Sequence, residues 1–175
     1  MAVHHFGLDI GRSFIKVAQT EVAGAKKVLT AAGLSPTPAG GIQSESAIDL
    51  SKISESIKKC ISGLGVETRR CVVSLSESQV FSRLIELPIL TDKELAAAIN
   101  WEAEQYIPLP IKDVSLEFQV VEKKEGEGGV GGKMKVLLVA APKRVIEKYL
   151  AIVKGANLQV QALETESQAL ARALT

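Results

Sequence analysis

The segment 81–110 constrains the fold more than any other part of the chain, because it combines a strand, a capped helix and a stop. Residues 81–87 alternate in polarity, which is typical of a strand with one buried face. Thr91 and Glu94 stand three residues apart, the spacing of a capping box at the start of a helix. Pro108 ends that helix, because proline lacks the backbone N–H that a helix interior needs. The segment therefore predicts a strand followed directly by an amphipathic helix.

Two side chains of this helix do not match a helix that only covers a core. Trp101 projects away from the apolar stripe, and Glu102 lies within it. Trp101 either covers a neighbouring layer of the same molecule or anchors a partner, since large aromatic residues dominate interface hot spots. Glu102 needs a partner if it is buried, and Arg83 on the preceding strand is the predicted one. The alternative is that both charged side chains reach water at the sheet edge.

The composition excludes several classes of protein. With 46% hydrophobic residues and a formal net charge of +1, the 175-residue chain is neither a disordered tail nor a general nucleic-acid binder. Its length predicts one domain or two small subdomains. Cys60 and Cys71 fall in apolar settings and indicate core residues in a reducing compartment. The adjacent His4 and His5 lack the spaced ligands of a metal site, and no apolar run is long enough to span a bilayer.

The patterns along the chain predict an α/β protein in which one arrangement ends and a second one begins. The first has strands at 5–9, 13–21, 26–34 and 71–75 and a helix that contains residues 53–64. The second has strands at 80–87, 114–121, 135–140 and 158–163, with the capped helix and a helix at 142–154 between them. This order is a β-α-β-β-α-β unit, which can form a subdomain by itself. A last helix is expected at 166–174, packed by Leu170 and Leu174.

Two glycine-containing segments could bind phosphate, and their neighbours distinguish them. Residues 125–132 (EGEGGVGG) lie between two predicted strands. A phosphate loop instead leads from a strand into the N-terminus of a helix, so we expect a hairpin connection at 125–132.

The segment 7–16 has a better pattern for phosphate. Asp9 ends a buried strand and could hold a hydrated Mg²⁺ ion, which keeps most of its waters and takes few carboxylates. Gly11 lets the backbone approach a ligand closely. Ser13 and Lys16 would donate hydrogen bonds to phosphate oxygens. The alternative is an ordinary β-hairpin with Lys16 in solvent.

Two stretches of this sequence resemble known proteins. The segment DIGRSFIK (9–16) resembles the first phosphate loop of the actin-like ATPase superfamily. The words WEAEQYIPLP and VSLEFQVV resemble the PilM family of type IV pilus assembly proteins, which is similar in architecture to the cell-division protein FtsA. The resemblance implies an actin-like, ribonuclease H-like first subdomain at 1–76 and 164–175. A β-α-β-β-α-β subdomain would be inserted at 77–163.

The resemblance also implies roles for single residues. It places Asp9 near the magnesium ion of a bound ATP. It places four further loop residues around the β- and γ-phosphates: Gly11, Arg12, Ser13 and Lys16. Glu166, with Glu164 as the alternative, would lie where actin-like proteins orient the attacking water. Family members are roughly double this length and carry a second phosphate loop and an adenosine motif in their second half. We therefore expect an N-terminal fragment or a natural truncation that binds ATP weakly or not at all and does not hydrolyse it alone.

The resemblance implies a scaffold of the type IV pilus machine, cytoplasmic and at the inner face of the cytoplasmic membrane. Its partner would be the N-terminal cytoplasmic segment of a PilN-type inner-membrane protein, bound in a groove between the two subdomains, together with other platform proteins. Phe81, Arg83 and Trp101 are the predicted partner-binding residues. Apolar surface left by a missing lobe could promote self-association. An actin-like ATPase, or an FtsA-like cell-division or secretion-system relative, is the alternative.

Overall fold

Two separate β-sheets form, and each belongs to its own unit of the chain. The computed structural model describes residues 5–126 and 131–174. Unit 1 comprises Met1–Ser76 and Glu147–Thr175, and unit 2 comprises Glu77–Ile146. The second passage between the units therefore falls inside a helix, α3 (Lys143–Gly155).

Unit 1 is built on a mixed five-stranded sheet. Its strands, numbered in chain order, lie side by side as β3 (Lys26–Pro36), β2 (Phe14–Ala23), β1 (Phe6–Ile10), β4 (Arg70–Leu75) and β8 (Gln159–Thr165). The β1–β2 and β2–β3 pairs are antiparallel, and the β1–β4 and β4–β8 pairs are parallel. Alternate side chains of β1 and of the start of β2 are buried, which is why these segments read as strands in the sequence. The remaining helices of this unit are α1 (Ala47–Gly63) and α4 (Glu166–Leu174).

Helices α1 and α3 meet through small side chains. The buried Ser54 of α1 donates a hydrogen bond to the carbonyl oxygen of Ile152 in α3 at 2.8 Å. A Cβ atom on Gly155 would lie only 2.7 Å from the hydroxyl oxygen of Ser54. Glycine at the end of α3 therefore allows the close approach of the two helices.

In its described residues, unit 2 is built on a three-stranded antiparallel sheet that a helix covers on one face. The elements are β5 (Phe81–Pro88), α2 (Asp92–Tyr106), β6 (Val114–Lys124) and β7 (Lys133–Pro142), and the sheet order is β5-β7-β6. The predicted capping box is confirmed, because Thr91 and Glu94 exchange hydrogen bonds at the start of α2. Leu95, Ile99 and Ala103 are buried against apolar side chains of the sheet, so one face of α2 forms the core of this unit.

The last predicted strand of the β-α-β-β-α-β unit belongs to the other sheet, so that prediction is wrong. Strand β8 pairs in parallel with β4, with Cys71 opposite Val160. Unit 2 consequently contains three strands, and the chain returns to unit 1 at Glu147 instead of at residue 164. A strand's polarity pattern shows that one of its faces is buried, but it does not show which sheet the strand joins.

Two further expectations concern the ends of elements. Helix α4 forms as predicted, but Leu170 and Leu174 are 62% and 85% exposed, so they do not pack it as expected. Strands β6 and β7 pair antiparallel on either side of the glycine-rich segment, of which residues 127–130 lie outside the described residues. None of the helices in the described part of the chain has the length and apolar content of a transmembrane segment.

Candidate functional site

The first candidate site lies in unit 1, at the carboxyl ends of its parallel strands. Asp9 stands near the end of β1, and Ser74 stands opposite it near the end of β4. Glu166 follows directly after β8 and opens helix α4. Ligands of open α/β sheets bind at this edge, because the loops after the strands converge there. We call Asp9, Lys16, Ser74, Tyr149 and Glu166 the phosphate-loop cluster.

Asp9 is held by two hydrogen bonds. The Nζ atom of Lys16 donates to its Oδ2 at 2.8 Å, and the hydroxyl of Ser74 donates to its Oδ1 at 2.8 Å. The hydrogen bond that Lys16 donates to Asp9 and the negative charge of Asp9 raise the pKa of Lys16, and the charge of Glu166 adds to the effect. Among the described residues no group of three or more His, Cys, Asp or Glu side chains is arranged for a metal ion.

The turn between β1 and β2 is closed by its own hydrogen bonds. The N–H of Gly11 donates to the carbonyl of Phe14 at 3.0 Å, and a Cβ atom on Gly11 would lie 2.9 Å from that oxygen. Thr37 donates from its hydroxyl to the carbonyl of Gly11 at 2.8 Å and from its N–H to the carbonyl of Ser13 at 2.9 Å. The hydrogen bonds from Thr37 thus stabilise the turn, in which the side chains of Arg12 and Ser13 are exposed to solvent.

Tyr149 is a member of this cluster that the sequence analysis missed. Its side chain is fully buried, and its hydroxyl oxygen accepts a hydrogen bond from the N–H of Ser76 at 3.4 Å. Burial raises its pKa to about 12, and the charges of Asp9 and Glu166 contribute to the rise. The sequence could have indicated Tyr149, because it is a tyrosine on the apolar stripe of α3 and the hydroxyl of a buried tyrosine needs a hydrogen-bond partner.

Glu164 near the end of β8 and Glu166 at the start of α4 have different surroundings. Glu164 forms an ion pair with Arg172. Glu166 acts electrostatically on both Lys16 and Tyr149. Between the two glutamates, the buried Thr165 caps the helix, and its hydroxyl accepts a hydrogen bond from the N–H of Gln168 at 3.3 Å. The charge of Glu166 therefore acts on Lys16, whereas Glu164 is paired with Arg172.

The second candidate site is a cavity within unit 2, of about 350 Å³. Its lining combines apolar and polar side chains: Glu77, Val80, Phe81, Ser82, Arg83, Tyr106, Ile107 and Leu138. We call it the unit 2 cavity. It contains Phe81 and Arg83, two of the three predicted partner-binding residues. The third, Trp101, is 64% exposed on α2 and does not line the cavity.

Arg83 makes a different contact from the one predicted. Its guanidinium carbon lies over the ring of Tyr106, 3.8 Å from the ring centroid. Glu102 is half-buried one turn earlier on α2, and no ion pair joins it to Arg83, both being within the described part of the chain. The predicted Arg83–Glu102 pair is therefore wrong, because the end of the helix offers an aromatic face to the guanidinium.

Comparison with solved structures defines the class of the fold. A structure described as the PilM-PilN type IV pilus biogenesis complex matches 99% of this chain with a TM-score of 0.84 and 29% identity. The cytoplasmic domain of EpsL, an inner membrane component of the type II secretion system of Vibrio cholerae, matches 93% of the chain with a TM-score of 0.56 and 16% identity. The chain spans 51% and 57% of these two proteins, respectively. The fold is the mixed α/β, actin-like fold, as the sequence predicts.

A family model narrows this class. The model of the type IV pilus assembly protein PilM matches residues 7–175. The chain therefore belongs to the PilM family of type IV pilus assembly proteins.

Proposed function

We propose that this protein is a scaffold of the type IV pilus assembly platform, on the cytoplasmic face of the inner membrane. In this proposal it binds the N-terminal cytoplasmic segment of a PilN-type membrane protein. Family membership supports the pilus setting, and a matched structure is described as a complex of PilM with PilN. The observation that carries the binding proposal is the unit 2 cavity, which holds Phe81 and Arg83 side by side.

The lining of the cavity suits a peptide. Val80, Ile107 and Leu138 are buried apolar residues and provide a floor for an apolar side chain. Arg83 rests its flat face on Tyr106, so the N–H donors at its edge can bind a peptide carbonyl or carboxylate. Strand β5, which supplies Phe81 and Arg83, is an edge strand of its sheet. An extended peptide can therefore lie along β5 while one side chain enters the cavity.

A titration with a synthetic peptide tests this proposal. The peptide carries the N-terminal segment of a PilN-type protein, and isothermal calorimetry measures its affinity for the full chain. We expect Phe81→Ala and Arg83→Ala each to weaken binding about tenfold or more, as anchors in a buried pocket do. Leu84→Ala is the matched control, because Leu84 is the neighbouring exposed residue of β5 and does not line the cavity.

Two results would overturn the cavity as the peptide site. One is an unchanged affinity in the Phe81 and Arg83 variants. The other is an equal loss in the Leu84→Ala control, which would indicate a general effect on the sheet. Trp101→Ala asks a separate question, namely whether the exposed tryptophan is a second anchor for the same peptide.

We propose, second, that the phosphate-loop cluster binds the phosphate groups of ATP. Lys16 is a cation beside a glycine turn, and Arg12 and Ser13 add exposed donors, so these residues fit a phosphate group. Asp9 would hold a hydrated magnesium ion. Bound ATP would supply the triphosphate whose charge these groups neutralise. Lys16 donates one of its three N–H groups to Asp9, and the other two remain available to a phosphate oxygen.

Calorimetry with Mg-ATP tests the second proposal. We expect weak binding, because one turn and one lysine supply the phosphate contacts of this cluster, whereas phosphoryl-transfer sites surround the phosphates with several donors and a metal ion. Lys16→Met should abolish the heat signal, and Lys52→Met, which alters an exposed lysine on α1, should not change it. Binding that survives Lys16→Met would contradict the assignment of the phosphate site.

A further inference from the structure

The edge of the unit 1 sheet opposite the phosphate-loop cluster is strongly basic. Seven basic side chains lie at the ends of strands and helices and in the loop around it: Lys26, Lys27, Lys58, Lys59, Arg69, Arg70 and Lys154. All seven are exposed, and the same segments contain two acidic residues, Glu21 and Glu67. We call this set the basic edge. Since the whole chain has a net charge of +1, the positive charge is concentrated here.

The topology of unit 1 collects these residues at one end of the sheet. Strands β1, β4 and β8 are parallel, so their amino-terminal ends meet at the same edge. Arg70 pairs with Gln159 at the start of β8, and the N–H of Gln159 donates to the carbonyl of Arg69 at 2.7 Å. Lys154 lies in the last turn of α3, a few residues before β8. The end of α1 leads to the start of β4 and brings Lys59 to this edge.

The charges of the basic edge are largely uncompensated. Arg69, Arg70 and Lys154 form no ion pair within residues 5–126 and 131–174. Lys58 pairs with Glu55 on the surface of α1. At the opposite edge, by contrast, Lys16 is bound to Asp9 and Lys148 to Glu45. A cluster of free cations attracts an anionic surface.

The hairpin that joins β2 and β3 adds apolar surface to this charge. Val22 is 77% exposed and pairs with Lys27, and Leu29 is 60% exposed two residues further on. Exposed apolar side chains next to lysines are the composition of segments that rest in a membrane interface, where the apolar groups enter and the lysine ammonium groups remain at the headgroups. An acidic protein segment would pair with the lysines, but its carboxylates would leave the neighbouring Val22 and Leu29 side chains without an apolar contact.

We propose that the basic edge docks unit 1 on the anionic phospholipid surface of a membrane. This inference rests on the proposed function, which sets the protein at a membrane, and it names the face that would meet the lipid. The segments of the basic edge contain no aromatic residue on which bases could stack, so a single-stranded nucleic acid is a poor occupant. The lipid headgroup supplies the negative charge, and the Val22–Leu29 hairpin tip supplies the apolar contact.

Vesicle flotation with the full chain tests the proposal. We expect the protein to float with equimolar phosphatidylglycerol–phosphatidylcholine vesicles and not with pure phosphatidylcholine vesicles. The double variant Arg69→Glu, Arg70→Glu should lower partitioning about tenfold or more, given the contribution of each basic residue near an anionic surface. Lys123→Glu, Lys124→Glu is the matched control, because it makes the same change of charge at exposed residues of unit 2.

A second variant separates the apolar contact from the charge. Val22→Ser, Leu29→Ser should lower vesicle binding while it keeps the sensitivity to added salt that the basic residues produce. Circular dichroism checks that each variant is folded, and Arg69→Gln, Arg70→Gln replaces the reversal if that variant is not. The proposal is overturned if the native chain does not bind the anionic vesicles, or if the control variant loses as much binding as the charge reversal.

The peptide titration keeps this test distinct from the proposed function. The charge-reversal variant should bind the PilN-type peptide with native affinity, because none of its substitutions lines the unit 2 cavity. Native vesicle binding without peptide binding would contradict the proposed function alone. Peptide binding without vesicle binding would contradict only the proposal that the basic edge docks on a membrane. If the basic edge instead captures an acidic platform segment in solution and ignores vesicles, the lipid assignment is wrong.

Discussion

Lys16 in unit 1 and Arg83 in unit 2 are both cations at candidate sites, and the two units hold them by different means. Lys16 is hydrogen-bonded to the carboxylate of Asp9 at 2.8 Å. Arg83 lies on the ring of Tyr106, 3.8 Å from its centroid. A carboxylate engages the N–H donors of its cation, whereas an aromatic ring engages the face of a guanidinium and leaves the donors at its edge.

This difference determines what each site must do to bind an anionic or carbonyl group. At the phosphate-loop cluster, a ligand has to share Lys16 with Asp9, whose negative charge offsets part of the attraction of the lysine for an anionic group. In the unit 2 cavity, Arg83 is positioned by Tyr106 and can bind a peptide without breaking an ion pair. We therefore expect the cavity to bind its ligand more readily than the phosphate-loop cluster, and four changes test this expectation.

The largest expected effect concerns the core that carries the unit 2 cavity. Ile99→Ala removes a side chain that is 2% exposed between α2 and the sheet, and we expect it to lower the free energy of unfolding by about 2–5 kcal/mol. Trp101→Ala on the same helix removes a 64% exposed side chain and should change stability by about 0.5 kcal/mol or less. Urea denaturation measures both. Equal losses would contradict the burial that distinguishes these two positions.

The next largest effect is a loss of stability at alkaline pH, caused by two buried groups of unit 1. Burial raises the pKa of Tyr149 from 10.0 to about 12 and that of Cys71 from 9.0 to about 11. Because the unfolded chain ionises these groups first, their stabilisation is complete below pH 9 and is lost as the pH rises toward 12. Each group should account for up to about 3 kcal/mol of the loss.

Urea denaturation across this alkaline range measures the loss. Tyr149→Phe keeps the buried ring and removes the ionisable hydroxyl. Its stability should therefore fall less steeply than that of the native chain above pH 10. Identical slopes in the two proteins would show that Tyr149 does not titrate on unfolding as described, and the neutral hydroxyl assigned to the phosphate-loop cluster would be wrong.

A smaller effect is expected when Arg83 loses its aromatic support. Tyr106→Leu keeps an apolar side chain beside the cavity and removes the ring, a loss of about 0.5–1 kcal/mol. Peptide affinity should fall about twofold to fivefold, because Arg83 is no longer held in place. Phe118→Leu is the control, as Phe118 is an exposed aromatic residue of unit 2 outside the cavity. An affinity that is unaffected by Tyr106→Leu would mean that stacking does not prepare Arg83 for its ligand.

The smallest effect on stability is expected at the ion pair of unit 1. Asp9→Asn keeps an acceptor for the hydroxyl of Ser74 and removes the charge that Lys16 binds. The pKa of Lys16 should fall toward its ordinary value, and the free energy of unfolding should change by about 0.5 kcal/mol or less, since the lysine is exposed. Nuclear magnetic resonance titration of the Lys16 amine measures the pKa. Asp49→Asn, at another surface ion pair, should leave it unchanged.

Local signals predicted most elements correctly, because each depends on neighbours a few residues away. The capping residues Thr91 and Glu94 fix the start of α2 within one turn, and Pro108 excludes its continuation. The alternation in Phe6–Ile10 follows directly from the two faces of a strand. The turn at Gly11 was also predicted from its glycine. In the structure, a Cβ atom at this position would lie too close to the carbonyl oxygen of Phe14.

The partners of the site residues were less predictable. The sequence suggested Glu102 for Arg83, since opposite charges on facing elements attract, but the choice between Glu102 and Tyr106 depends on how α2 crosses the sheet. Ser74 and Tyr149 reach the phosphate-loop cluster from positions 65 and more residues away from Asp9, through strand pairing and helix packing. The residue–residue distances that define both sites are therefore properties of the packed chain.

Local propensity and short motifs such as DIGRSFIK and WEAEQYIPLP were enough to predict the α/β class, the capped helix α2, the glycine turn and the family to which the chain belongs. The folded chain was needed to show that β8 joins the first sheet, that Arg83 rests on Tyr106, and that seven basic residues from four segments lie at one sheet edge. These relations arise from long-range pairing and packing, which local polarity patterns do not encode.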